Sequence, residues 1–121
     1  MEKKLKKLLK KGAFTVNGSL WIEGDGQRFF GPGPVELLEL IEKTGSISKA
    51  AKSMGMSYKK AWDIVSRINE MAAEPFVTTS IGGGDGGGST ISAEAKEMIA
   101  WYRGLRERFR EFLERESAEL K

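Results

Sequence analysis

Hydrogen-bonding side chains are concentrated on one face of a helix predicted from Ser57 to about Met71. The polar residues on this face are Lys59, Lys60, Asp63, Ser66 and Arg67. Such side chains can reach base edges and phosphate oxygens from a helix that lies in a major groove. The chemistry that the pattern favours is therefore non-covalent binding of a nucleic acid. A solvated surface helix would show more mixed charge near its start.

The segment that must position this helix, residues 45–65, predicts two short helices joined by a tight turn. Ala51 is small where the helices would cross, and Gly55 suits a turn that needs a positive φ angle. The apolar residues that would hold the pair together are Met56, Ala61 and Ile64. This arrangement favours a helix-turn-helix, although a helical hairpin inside another kind of domain gives a similar pattern.

The candidate DNA contacts in this segment have different expected roles. Lys59 and Lys60 would contact guanine edges or phosphates, and Arg67 would anchor the far end of the helix. Ser57, which suits an N-cap, and Tyr58 would fix the start of the helix to the DNA backbone. The full set of candidates here is Ser46, Ser57, Tyr58, Lys59, Lys60, Asp63 and Arg67.

Two residues of the second helix have alternative interpretations. Asp63 could accept a hydrogen bond from a cytosine amino group, or it could orient Lys59 and Arg67. Trp62 flanks the apolar face, and we interpret it as a packing residue rather than a base contact.

Residues 76–92 predict a two-stranded hairpin around the glycine-rich loop 82–88. In a winged helix the tip of such a hairpin lies along the DNA backbone or in a minor groove. Glycines leave no side chains to obstruct a phosphate, and the candidate contacts are Gly83, Gly86 and Gly87. A nucleotide-binding P-loop would need Lys and then Ser or Thr after its last glycine, where this chain has Gly88-Ser89. A flexible tether is the remaining alternative.

The first eleven residues contain six lysines, which favours a polyanionic partner. Leu5, Leu8 and Leu9 form a narrow apolar stripe in this segment. We interpret the stripe as part of a helix docked on the domain rather than a DNA contact.

Residues 14–34 favour a small antiparallel ribbon with turns at Asn17-Gly18 and Asp25-Gly26. Aromatic residues on short strands usually belong to a core, so we prefer that interpretation to a base-stacking platform for Trp21, Phe29 and Phe30. A helix with Pro34 in its first turn would follow and end near Thr44-Gly45. Its apolar residues, expected to be buried, are Val35, Leu37, Leu38, Leu40 and Ile41.

One long helix is predicted from Ala93 to about Glu116, with Ser92 as its N-cap. A helix of roughly 24 residues would be about 36 Å long, which exceeds what the core of this domain needs. Its apolar residues recur at alternating steps of four and three, the spacing of a dimerisation seam. The seam consists of Met98, Tyr102, Leu105, Phe109 and Phe112. Packing of the helix wholly on its own domain is the alternative.

The composition excludes several kinds of site. The 121 residues, 40% of them hydrophobic, suffice for one domain with a modest core. The chain has neither Cys nor His, so disulfides, thiolate metal sites and the commonest general base are excluded. We expect no catalytic residues, no cofactor and no metal. With no membrane-spanning stretch or secretory signal, we expect a cytoplasmic protein without a membrane partner.

The expected fold is mainly α with small β-hairpins, an α+β winged helix-turn-helix with a long C-terminal dimerisation helix. The expected segments are residues 1–30, a basic helix and small β-ribbon; 31–92, the DNA-binding core with its wing at 76–92; and 93–121, the dimerisation helix. The expected partners are double-stranded DNA and a second copy of the chain, with an unidentified effector or partner protein left open. A protein-interaction module without direct DNA binding is the alternative function.

The sequence resembles the N-terminal domain of the ModE-type molybdate-responsive transcriptional regulators in residues 37–70, in the loop GGGDGGG and in the helix beginning SAEAKEMI. This family is winged-helix and related to LysR-type regulators. The resemblance implies dimeric binding of operator DNA, with residues 57–62 in the recognition-helix motif and 82–88 in the wing. It also implies a separate C-terminal domain that binds molybdate or tungstate.

Two departures from the family pattern matter. The sequence ends at Lys121, so we expect no oxyanion-binding domain and no direct molybdate sensing. Asp85 stands in the wing where a basic residue is expected, and a carboxylate there would weaken contact with phosphate. Regulation by constitutive binding, by a partner protein or by a ligand at the dimer interface all stay open.

Overall fold

The computed structural model describes residues 2–80 and 88–121, and the side chains of residues 5–80 and 88–121. Within these ranges the fold is α+β, with five helices and two antiparallel hairpins, which confirms the expected mixed class. The elements are α1 Glu2–Lys7, β1 Ile22–Gly24, β2 Gln27–Phe30, α2 Pro32–Thr44, α3 Ile47–Ser53, α4 Tyr58–Met71, β3 Val77–Ser80, β4 Gly88–Ile91 and α5 Ala93–Ala118. No helix in the described part of the chain is long and apolar enough to cross a membrane.

The chain forms two compact units. The core unit is Trp21–Ala100, and the terminal unit combines Met1–Leu20 with Trp101–Lys121. Helix α5 contributes residues to both. These units do not coincide with the three successive segments expected from the sequence, whose functional division stays a prediction.

Three helices supply the interior of the core unit. Helix α2 begins at Pro32, whose missing N–H costs nothing at a first helical position, and Pro34 lies in its first turn as expected. Leu40 is only half-buried, whereas the other four apolar residues expected to be buried on α2 are buried. The buried apolar residues of the three helices are Val35, Leu37, Leu38, Ile41, Ile47, Ala50, Ala51, Ala61, Val65 and Ile68.

The connection between α3 and α4 follows the sequence prediction. Ala51 is buried, which allows close approach of the helices, and Gly55 has a φ angle of 69° in the turn. Ser46 and Ser57 cap the two helices: their Oγ atoms accept hydrogen bonds from the backbone N–H groups of Lys49 and Lys60. Local residue types therefore set both the turn and the start of each helix.

The first hairpin is shorter than expected. Asp25 and Gly26, with φ angles of 49° and 79°, make the turn between β1 and β2. The expected turn at Asn17-Gly18 is wrong, because no strand flanks it and the Asn17 side chain instead accepts a hydrogen bond from the Gly18 N–H. The ring of Phe30 is buried and lies 6.0 Å from that of Phe76, which confirms a core role for Phe30.

In the terminal unit, residues 16–20 lie along α5. The Val16 N–H donates to Ser117 Oγ, and the Tyr102 hydroxyl donates to the Leu20 carbonyl oxygen. The prediction that Leu5, Leu8 and Leu9 form the apolar stripe of a docked helix is wrong. Helix α1 ends at Lys7, so Leu8 falls outside it and is 77% exposed, and Leu5 is exposed as well.

Candidate nucleic-acid interface

Helix α4 presents the predicted polar face to solvent. Its opposite side is anchored in the core by Ala61, Val65 and Ile68, all buried. This anchoring fixes the rotation of the helix, so the exposed residues at helical spacing share one direction. We define the basic face of α4 as the exposed residues Lys59, Lys60, Asp63 and Arg67. Ser66, also predicted on this face, is half-buried, whereas Ser57 and Tyr58 are exposed at the start of the helix.

Ser46 has a different setting from the basic face. It is half-buried before α3, where its Oγ atom caps the helix. Its role as a DNA contact stays a prediction. Trp62, expected to pack, is 45% exposed on α4, so it packs only in part. It lies between the anchored side and the basic face, at the margin of the buried part of the helix.

Asp63 lies within the basic face and is engaged locally. Its Oδ2 atom accepts a hydrogen bond from Lys59 Nζ at 3.3 Å, one helical turn away. No ion pair joins Asp63 to Arg67 in the described part of the chain. The sequence allows Asp63 to orient both Lys59 and Arg67. The structure shows this contact for Lys59 only.

Asp63→Asn is expected to raise affinity for a random-sequence duplex by about two- to fivefold at low salt, because a charge that repels phosphate is removed. Its effect on the free energy of unfolding should be within about 0.5 kcal/mol, since the pair is exposed. Fluorescence anisotropy measures the affinity for the duplex, with Glu36→Gln on α2 as the matched control. Unchanged or weaker binding to random duplexes would show that Asp63 does not face phosphates.

Asn69, near the end of α4, was not singled out from the sequence. Its Oδ1 atom accepts hydrogen bonds from the backbone N–H groups of Phe76 and Val77, and its Nδ2 donates to the Val77 carbonyl. These three bonds, each 2.9 to 3.0 Å long, tie the start of β3 to α4. The sequence signal that could have indicated this role is an amide side chain at the edge of the apolar face of α4, seven residues before a predicted strand.

The second hairpin has the predicted pairing. Val77 lies opposite Ile91 and Ser80 opposite Gly88, so Gly88 belongs to a strand rather than to the loop. The Ser89 N–H donates to the Gly45 carbonyl oxygen at 2.8 Å, which joins β4 to the end of α2. The predicted contacts Gly83, Gly86 and Gly87, with Asp85, lie outside the described residues.

The predicted seam residues of α5 divide into different environments. Met98, Leu105 and Phe109 are half-buried, and Phe112 is 45% exposed with its ring stacked 6.3 Å from that of Phe109. Tyr102 is fully buried within its own chain. Burial raises the pKa of its phenol, partly offset by the charge of Arg106, so the hydroxyl stays a donor to Leu20. Tyr102 is thus not available to a partner in this conformation.

Charged residues on α5 form an exposed network beside the seam. Arg110 pairs with Glu107 at 2.6 Å and with Glu114 at 2.7 Å. The hydrogen bond from Arg110 lowers the pKa of the Glu107 carboxyl and raises that of the guanidinium. Such spacings stabilise the helix surface.

Comparison with known proteins gives relatives but no matching family model. The chain is 41% identical over 86 residues to the molybdenum transport protein ModE of Azotobacter vinelandii, covering 71% of this chain and 32% of that protein. It is 44% identical over 84 residues to the molybdenum-pterin-binding protein MopB of Rhodobacter capsulatus, covering 69% and 31%. The DNA-binding transcriptional dual regulator ModE of Escherichia coli K12 is 36% identical over 74 residues, covering 61% and 28%. The chain therefore resembles ModE and MopB proteins over most of its length, and it spans about a third of the length of these relatives.

Proposed function

We propose that this chain is a sequence-specific DNA-binding transcriptional regulator that acts as a homodimer on a pseudo-palindromic operator. In this proposal α3 and α4 form a helix-turn-helix, α4 enters the major groove, and the β3–β4 hairpin is a wing. The observation that carries it is the basic face of α4, which is exposed while the opposite side of the helix is buried in the core. The relative in Escherichia coli is named as a DNA-binding transcriptional regulator, which supports the same conclusion.

The positions of the caps support this use of α4. Ser57 caps the helix, so its first turn, with Tyr58, Lys59 and Lys60, is held at a fixed orientation. The first turn contains no acidic residue, which leaves the positive end of the helix available to a phosphate. Lys59 and Lys60 would contact guanine edges or phosphates, and Arg67 would anchor the far end of the helix.

The dimer is supported by the aromatic surface of α5. The 26-residue helix would be about 39 Å long, and it exposes Trp101 and Phe112, two large apolar side chains, at its surface. Two copies joined along this surface would present two α4 helices to half-sites about one DNA turn apart.

Selection from a randomised duplex library tests the operator. We expect enrichment of a pseudo-palindrome whose half-sites are about 10 base pairs apart, centre to centre. Enrichment of a single half-site would contradict the dimeric mode of binding while leaving α4 as the contact.

Phe112→Glu is expected to weaken self-association by about tenfold or more, because a charge replaces an aromatic side chain in the proposed seam. Sedimentation velocity over a concentration series checks this. Ala100→Glu, an equal charge change at an exposed position on another side of α5, should leave the dimer unchanged. Equal association of both variants and the natural chain would place the interface elsewhere.

A protein-interaction module is the second candidate, favoured by one observation. Tyr58 and Trp62 are exposed and stand four residues apart on α4, and exposed aromatic side chains are enriched at protein interfaces. Under this hypothesis, Trp62→Ala would abolish partner binding and DNA affinity would be absent at every salt concentration.

A further inference from the structure

A cleft lies within the core unit, between the β1–β2 hairpin, the start of α2 and α4. Its volume is about 340 Å³, within the range of roughly 300 to 1,000 Å³ typical of small-molecule sites. Phe29, Ile64 and Ile68 supply apolar walls. We call this cavity the α4 cleft.

The lining of the α4 cleft carries positive charge without compensation. Arg28, Lys60 and Arg67 line it, whereas its lining contains no carboxylate from the residues that the structure describes. None of these three cations forms an ion pair with any described residue. The cleft therefore combines an apolar surface with three cations that no carboxylate of the described residues neutralises.

The aromatic wall is held in place by close packing. The Trp21 indole lies against Gly31, where even a Cβ atom would overlap its ring carbons. The Arg28 guanidinium lies over the same indole, 4.2 Å from the ring centroid. This packing fixes the indole and holds Arg28 at the wall before any ligand arrives.

The chemistry of these walls defines what fits. A phosphate of the DNA backbone needs only the cations and gains nothing from the apolar residues. A ligand with an aromatic or branched apolar body would bury that body against Phe29 and Ile64, and its anionic group would meet Arg28, Lys60 and Arg67. We infer that the α4 cleft binds a small organic anion with an aromatic or apolar body.

Binding at this site has a consequence for DNA that rests on the proposed function. Lys60 and Arg67 belong both to the cleft and to the basic face. A bound anion neutralises charge at two proposed DNA contacts, so ligand and DNA compete and the anion releases the operator.

The site itself is tested without DNA by titrating the full chain with 8-anilinonaphthalene-1-sulfonate and following its fluorescence. We expect saturable binding to one site per chain. N-phenyl-1-naphthylamine, the neutral analogue, should bind at least about tenfold more weakly, and inorganic sulfate should not displace the probe at equal concentration. Equal affinity for the neutral analogue, or displacement by equimolar sulfate, would overturn the proposal.

Variants locate the probe. Arg28→Gln and Arg67→Gln should each raise its dissociation constant by about five- to tenfold, because each removes a charge-assisted contact. Lys52→Gln on α3, outside the cleft, should change it less than about twofold. Circular dichroism verifies the folding of each variant. If neither arginine substitution changes the dissociation constant of the probe, the probe binds outside the α4 cleft and the assignment is contradicted.

A second titration, with random duplex present, separates the site from the coupling. DNA should raise the apparent dissociation constant of the probe. If the chain binds no DNA at all, the proposed function fails. The titration without DNA still shows whether the α4 cleft binds the anionic probe.

Discussion

Replacing Lys59 and Lys60 together by alanine is expected to weaken binding to the selected operator by about 100-fold or more. Each lost contact with a base costs about 1–3 kcal/mol of binding free energy, and lost phosphate contacts add to that. Both side chains are exposed, and the turn is held by the Ser57 cap and by buried Ala61, so the free energy of unfolding should barely change. Fluorescence anisotropy on the operator and chemical denaturation measure the two quantities.

The control for this variant removes the same charge elsewhere. Lys43→Ala with Lys96→Ala takes two exposed lysines from α2 and α5, outside the basic face. We expect that variant to lose only a few-fold in affinity through net charge. Should the Lys59 and Lys60 variant lose no more than this control, the DNA face has been assigned to the wrong side of the core unit.

Asn69→Ala is expected to lower the free energy of unfolding by at least about 2 kcal/mol. The change leaves two N–H groups and one carbonyl of Phe76 and Val77 without their partners, and an unpaired buried group costs about 1–3 kcal/mol. Both residues are buried, so water cannot replace the amide fully. Urea denaturation measures the loss.

A conservative variant separates the hydrogen bonds from packing. Asn69→Asp keeps an oxygen acceptor for the two N–H groups but removes the donor to Val77, so its loss should be smaller than that of Asn69→Ala. Asn17→Ala, which removes an exposed local contact, should be neutral. Equal stability of Asn69→Ala and the natural chain would show that the hairpin is held by its apolar residues alone.

The turn between α3 and α4 was predictable because its causes are local. A small residue at the crossing, a glycine with a positive φ and a serine before α4 act within a few residues of their own positions, and Ala51, Gly55 and Ser57 behave as expected. The basic face followed for the same reason, since the period of the helix fixes which residues share a side.

Predictions that depended on distant contacts were less successful. The spacing of Tyr102 fits a dimer seam, but a heptad pattern does not distinguish a second chain from residues 16–20 of the same chain, and Leu20 accepts its hydroxyl. Asn69 was missed because its partners lie seven and eight residues further on, in a strand whose position depends on the tertiary fold.

The prediction of a docked N-terminal helix failed for a different reason. Leu5, Leu8 and Leu9 have helical spacing, but spacing defines a face only while the helix continues, and α1 ends at Lys7. Trp62 likewise lay at the margin of the apolar face, where a small rotation of the helix decides between burial and exposure.

The most direct test of DNA binding is fluorescence anisotropy of a random-sequence duplex titrated with the chain over a series of salt concentrations. We predict binding that weakens steeply, with a log-log slope of about 0.9 for each phosphate contacted. Absence of binding even at low salt would contradict the proposed function and leave the basic face and the exposed Trp62 as a surface for another protein.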